Sequence, residues 1–172
     1  MDVPFGRGVR LGVDVGSVRV GLATSDPDGL IATPVETLPR PASLARIVRE
    51  VGERRAVAVY VGLPIHLSGA EGAAAGAARI YAGALARAVV PVAVWLVDER
   101  MSTVSAHRAL HESGRSERRH RQVVDQAAAV VILQSALEAE RATGLRAGER
   151  VEVDLPLSAE QGPTDDGEMT GR

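Results

Sequence analysis

Cysteine is absent from this 172-residue chain, and so is lysine. Without cysteine there is no disulfide, no thiolate metal site and no cysteine nucleophile. Aromatic residues are nearly absent too: Phe5, Tyr60, Tyr81 and Trp95 make up 2% of the chain. The core must therefore be built from Val, Leu, Ile and Ala, and stacking of bases on aromatic platforms is nearly excluded. No apolar run is long enough to cross a bilayer; the longest, Ala84 to Val97, is broken by Arg87 and Pro91. The first ten residues lack the apolar segment of a secretion signal, so a cytoplasmic location is expected.

What is present reads as a globular domain. Hydrophobic residues are 45% of the chain, enough for one core and a short tail. The net charge of −2 disfavours nucleic acid at first sight, but it is unevenly placed. Residues 149–172 hold seven acids and two arginines, while residues 1–148 hold 18 arginines and 15 acids. A mildly basic domain over 1–148 is expected, followed by an acidic, flexible tail over 149–172.

Hydrophobic patterning gives the order of elements. Val9 to Val15 reads as a buried strand, Arg19 to Ser25 as a second and Leu30 to Leu38 as a third, with Asp26-Pro27-Asp28-Gly29 as the turn between the last two. Pro34 places the third strand toward an edge. A helix is expected from Pro41-Ala42-Ser43 to about Arg55, carrying Leu44, Ile47, Val48 and Val51 at helical spacing. Ala56 to Val61 and Pro91 to Val97 are fully apolar strands, separated by a Gly62–Gly72 loop and an alanine-rich helix to about Ala88. Further helices are expected from Ser102 to about Glu112 and from Val123 to Arg141, joined by a basic loop from Gly114 to Gln122. Val151 to Leu155 could add a short strand. Apolar strands alternating with helices imply a mixed α/β sheet covered on both faces.

Three acidic positions stand out. Asp14 lies in the apolar run Leu11-Gly12-Val13-Asp14-Val15-Gly16. A carboxylate there is costly unless paired or bound to a cation. The plain alternative is a strand-end aspartate bonded to turn amides, but the flanking glycines leave room for a ligand. Asp98-Glu99 closes the last apolar strand, at the end where parallel sheets form their sites. Asp125 falls in the first turn of the final helix, where acids are favoured electrostatically; the following Ala127-Ala128-Ala129 would let that helix approach the sheet. Carboxylates without a His or Cys set suit Mg²⁺ or Mn²⁺, and two such ions can act on a phosphodiester.

The residues also carry a resemblance. Leu11 to Ala23, Val61-Gly62-Leu63-Pro64 with Ser68-Gly69, Val97 to Thr103, and Val124-Asp125-Gln126-Ala127-Ala128 resemble, in order and spacing, the motifs of the YqgF/RuvX family. That family is described as ribonuclease H-like nucleases linked to processing of the 5′ end of 16S rRNA precursors, and it has also been called a Holliday junction resolvase. The resemblance implies a ribonuclease H-like fold with a five-stranded sheet in the order 3-2-1-4-5, strands 1–3 antiparallel. It implies Asp14, Glu99 and Asp125 as an acidic triad that is both catalytic and metal-binding. Better-known junction resolvases keep their second acid at the end of the fourth strand, whereas that strand ends here in Gly62-Leu63-Pro64. Strands one and five are then two spacings apart, roughly 9–10 Å. Glu99 is preferred over Asp98 on length.

Basic residues near these acids are candidates for phosphate contact. Arg19 follows the first turn and Arg100 adjoins Glu99. Arg115, Arg118, Arg119 and Arg121 lie in the densest positive segment, just before Asp125. Each could also be an ordinary solvated arginine, and His66 in the rim loop reads as incidental. The expected activity is metal-dependent nuclease action on structured nucleic acid, pre-rRNA before branched DNA, and a homodimer is compatible with it. Two other readings compete: an ATPase of the acetate kinase type, which would need two such domains, and a non-catalytic RNA-binding or transcription-associated factor.

Overall fold

The computed structural model describes the backbone of residues 6–101 and 117–154, and side chains for residues 6–100 and 126–154. Strands β1 (Arg10–Val15), β2 (Arg19–Ser25) and β3 (Ala32–Pro39) form an antiparallel meander. Helix α1 (Arg40–Glu53) leads to β4 (Ala58–Leu63), which lies parallel to β1. Helix α2 (Ala73–Ala88) leads to β5 (Ala93–Asp98), parallel to β4. A single 3₁₀ turn, Glu99–Met101, follows β5. Helix α3 (Glu117–Thr143) and a two-residue strand β6 (Glu149–Arg150), antiparallel to β5, complete the fold. The sheet order is β3-β2-β1-β4-β5-β6.

The expected 3-2-1-4-5 order is present, and β6 adds a sixth strand at the edge. Pro34 does lie on an edge strand. The register slips between Leu22 and Ala23, whose partners are Glu36 and Pro34, so Val35 is the extra residue of a bulge.

Alternation along the strands builds two cores. Leu11, Val13, Val59, Val61, Val94 and Leu96 face α1 and α2. Ala58, Tyr60 and Val97 face α3, where they meet Ala129, Ile132, Leu133, Ala136 and Leu137. Positions 10, 12 and 14 of β1 share the α3 face by the same period. A Cβ on Gly12 would lie 2.6 Å from Leu133 Cβ and 2.9 Å from the Ala129 carbonyl oxygen. Only glycine lets α3 come this near to β1. At the other end of β1, Arg10 Nε donates to Glu140 of α3 at 3.2 Å, with both side chains almost wholly buried. Tyr60 also donates to Glu140, and Arg146 donates to it at 2.7 Å. These contacts run α3 antiparallel to β1, so its N-terminal turns approach the carboxyl end of that strand.

Several boundaries differ from the sequence expectation. The last helix begins at Glu117, not Val123, so 117–122 is helical where a basic loop was expected. The C-terminal strand is Glu149–Arg150, not Val151–Leu155. The sheet therefore continues past residue 148: the Val151 amide donates to the Val94 carbonyl at 2.9 Å, and Val151 and Val153 pack on the core. The helix expected over Ser102–Glu112 and the tail from residue 155 lie outside the described residues. No helix among the described residues is long and apolar enough to cross a membrane.

Candidate active site

Asp14 is the second-last residue of β1, paired with Gly21 of β2 and half-buried. Glu99 is the first residue beyond β5 and also half-buried. Strand β4 lies between these two strands, yet the Asp14 and Glu99 side chains share a hydrogen bond. Gly62 explains how. It is the β4 residue paired with Val97, two before Glu99. A Cβ there would run into Glu99 Oε1, and would lie 3.2 Å from Glu99 Cδ and 2.5 Å from Ile132 Cδ1. The glutamate thus crosses over β4 through the space that a side chain at position 62 would fill.

Burial pushes the Glu99 carboxyl above its ordinary range, the hydrogen bond to Asp14 works against that, and the neighbouring Asp98 charge adds to it. Two carboxyl groups in contact cannot both stay ionised cheaply: they need a shared proton or a cation. Asp98 is in a different state. Arg100 Nε and Nη2 donate to its carboxylate at 2.6–3.1 Å, and the Arg100 amide donates to Oδ1 at 2.9 Å. These hydrogen bonds hold Asp98 below the usual carboxylate range. Adjacent acids have thus separated, one onto Arg100 and the other onto Asp14.

The structure places the remaining candidates as follows. Asp125 lies on α3 four residues, one turn, before Ala129, in the helical row that meets β1 at Gly12. Its side chain lies outside the described residues. Among the described residues, no group of three or more His, Cys, Asp or Glu gathers around a point. Arg118, Arg119 and Arg121 occupy the first turns of α3, and Arg115 lies outside the described residues. Arg19 opens β2, where its carbonyl accepts the Gly16 amide at 2.9 Å. Arg100 engages Asp98 rather than Glu99. His66 is exposed in the rim loop.

Sequence reasoning passed over Gly62 as the residue that admits Glu99, and Arg40 as a neighbour; it read Gly12 as leaving room for a ligand, whereas Leu133 and Ala129 of α3 take that room. The readable signal for Gly62 was its place inside an apolar strand, which marks a close approach. Arg40, at the start of α1, gave no signal. Its amide donates to the Val18 carbonyl at 3.0 Å and its Nη1 to the Gly16 carbonyl at 2.7 Å.

This architecture, with acids meeting at the carboxyl ends of β1 and β5, is a ribonuclease H-like α/β fold. A solved structure with the same fold is described as "T. thermophilus RuvC in complex with Holliday junction substrate". It superposes with a TM-score of 0.56 at 18% identity, covering 81% of this chain and 98% of that one. Within that class the chain belongs to the RuvX family, described as "RuvX: Holliday junction resolvase", whose pattern matches residues 8–139. A relative from Streptomyces avermitilis is 52% identical over 150 residues, covering 86% of this chain and 96% of the relative. One from Kineococcus radiotolerans is 58% identical over 138 residues, covering 78% and 73%. Both carry the name "Putative pre-16S rRNA nuclease".

Proposed function

We propose that this chain is a divalent-cation-dependent nuclease that cuts a phosphodiester bond in structured RNA, at the 5′ end of the 16S rRNA precursor. The observation that carries the reading is the meeting of Asp14 and Glu99 across β4 through the gap at Gly62. Two carboxyl groups are brought together at a cost in repulsion and desolvation, which a protein core does not require for folding. Their only donors are oxygens, the chemistry that suits Mg²⁺ or Mn²⁺. Asp14 and Glu99 would hold the ion, with Asp125 of α3 as the third acid. When bound, such cations activate the attacking water and neutralise charge on the phosphodiester. The chain's own groups do the rest. Gly62 leaves the space that Glu99 crosses, and the Asp98–Arg100 pair keeps Asp98 from competing for the same ion. Arg118, Arg119 and Arg121, on the turns of α3 beside Asp125, supply phosphate contacts.

The relatives' name favours precursor rRNA; the family description favours a four-way junction. The chemistry is common to both, so one experiment separates them. A labelled 16S precursor fragment and a labelled four-way junction are each incubated with Mg²⁺, Mn²⁺ or EDTA. Cleavage of the precursor with either cation and none in EDTA is expected. Preferential cutting of the junction would move the activity to DNA. Binding without any product would make the chain a non-catalytic factor. The Asp14→Asn variant must be inactive; activity surviving it would place the chemistry elsewhere.

A further inference from the structure

The β1–β2 turn that follows Asp14 borders an open hollow of about 570 Å³, lined by Ser17, Val18, Arg40, Pro41 and Tyr81. Its chemistry is uneven. Val18 is 67% exposed at the tip of the turn, and Pro41 is exposed beside it. An apolar tip turned to solvent on both sides is unusual for a tight turn between strands. Tyr81 is buried below and Arg40 forms one wall, its guanidinium 5.9 Å from the ring centroid. Among the described residues, no acid lines the hollow.

Arg40 is held firmly but not neutralised. Its amide and Nη1 donate to Val18 and Gly16, and its carbonyl accepts the Ser43 hydroxyl at 2.7 Å. Ser43 in turn shares a 2.7 Å hydrogen bond with Tyr81. Arg46 on the same helix and Arg54 just past its end are both paired with Glu50. Arg40 has no carboxylate partner among the described residues, and a guanidinium carries five donors. A fixed cation, an apolar floor and no competing acid suit a sugar–phosphate unit: the phosphate on Arg40, the sugar or base edge on Val18 and Pro41.

Position ties the hollow to the reaction centre. Ser17 is three residues beyond Asp14, so the chain keeps them within about 11 Å. The hollow opens on the α1–α2 side of the sheet edge, whereas Asp14 and Glu99 face α3. We infer that the substrate strand crosses the sheet edge over the Gly16–Val18 turn, and that the hollow binds a backbone nucleotide close to the cut, with Arg40 on its phosphate. This rests on the nuclease reading above, but its test does not require cleavage.

A fluorescein-labelled RNA spanning the 5′ precursor boundary is titrated with the full chain in EDTA, across a series of salt concentrations. Each phosphate contact adds about 0.7–0.9 to the slope of log K against log salt. The Arg40→Gln variant should lower that slope by this amount, weakening binding about sixfold at 0.1 M salt. Arg40→Lys keeps the charge and should keep the slope. Arg49→Gln, an exposed arginine on α1, should leave it unchanged. Val18→Asp should weaken binding further, and thermal melts of all variants check that the turn is intact. An unchanged slope in Arg40→Gln overturns the inference. So does an equal loss in Arg40→Lys and Arg40→Gln, which would make Arg40 only a brace for the turn. Failure of the unaltered chain to bind this RNA at all would instead count against the RNA reading itself.

Discussion

Replacing Gly62 by alanine adds one methyl group at the point where Glu99 crosses β4. That methyl would collide with Glu99 Oε1 and sit 3.2 Å from Glu99 Cδ and 2.5 Å from Ile132 Cδ1. Position 62 carries no left-handed backbone conformation, so alanine is not strained by φ; the effect is purely one of space. Overpacking of this kind costs about 1–3 kcal/mol of stability. For a chain of this size, that lowers Tm by roughly 3–10 °C. The consequence for activity should be larger. The methyl displaces the glutamate from Asp14, and a catalytic group misplaced by about 1 Å can cost about 100-fold in rate. That factor corresponds to about 2.7 kcal/mol in the barrier. Initial rates at saturating Mg²⁺ or Mn²⁺, alongside thermal melts, measure both quantities. Two further variants isolate the cause. Ile132→Val removes the Cδ1 atom in the clash, so in the Gly62→Ala background it should restore stability but not rate. Glu99→Gln combined with Gly62→Ala should be no slower than Glu99→Gln alone, because both act on the same carboxylate. Wild-type rate in Gly62→Ala, or recovery of rate by Ile132→Val, would refute the crossing of β4 as the basis of the site.

Three other outcomes are expected. Gly12→Ala sets a methyl 2.6 Å from Leu133 Cβ and 2.9 Å from the backbone oxygen of Ala129; α3 must lift, with a loss of about 1–3 kcal/mol in urea unfolding. A wild-type midpoint would mean the helix is free to shift. Glu140→Ala leaves Arg10 charged in a site where its side chain is 5% exposed, and should destabilise by about 3–5 kcal/mol; a change below 1 kcal/mol by denaturant titration would contradict the buried pair. Glu50 is held below its ordinary pKa of 4.5 first by the Arg54 hydrogen bond and also by Arg46. Its stabilising contribution is therefore full above that value and is lost as pH falls through the lowered folded value. Glu50→Gln should shallow the acid limb of a stability–pH curve, and an unchanged limb would remove Glu50 from that role.

Much of the fold was legible in the chain. Unbroken apolar runs at 56–61 and 91–97 identify buried parallel strands, because such strands need cover on both faces. The short Asp26–Gly29 turn identifies the meander. Asp14 was legible as an acid near the end of an apolar strand, and the structure brings it to Glu99. Boundaries read from local chemistry were less secure. Arginines and a histidine over 118–121 look like a loop, but they lie in a helix whose apolar row begins only further along.

Local sequence determined the order of strands and helices and where the acids lie along it; the packed sheet decided which acids meet. Asp98 and Glu99 are adjacent and chemically alike, and within the segment only side-chain length separates them. Their fates depend on Arg100 folding back onto one and on an empty place at Gly62 that admits the other. Arg10 and Glu140 are likewise 130 residues apart, and their pairing exists only because Gly12 lets α3 lie close against β1. Side-chain reach across a strand is set by what the intervening strand leaves vacant, and that vacancy is a property of three strands and a helix together.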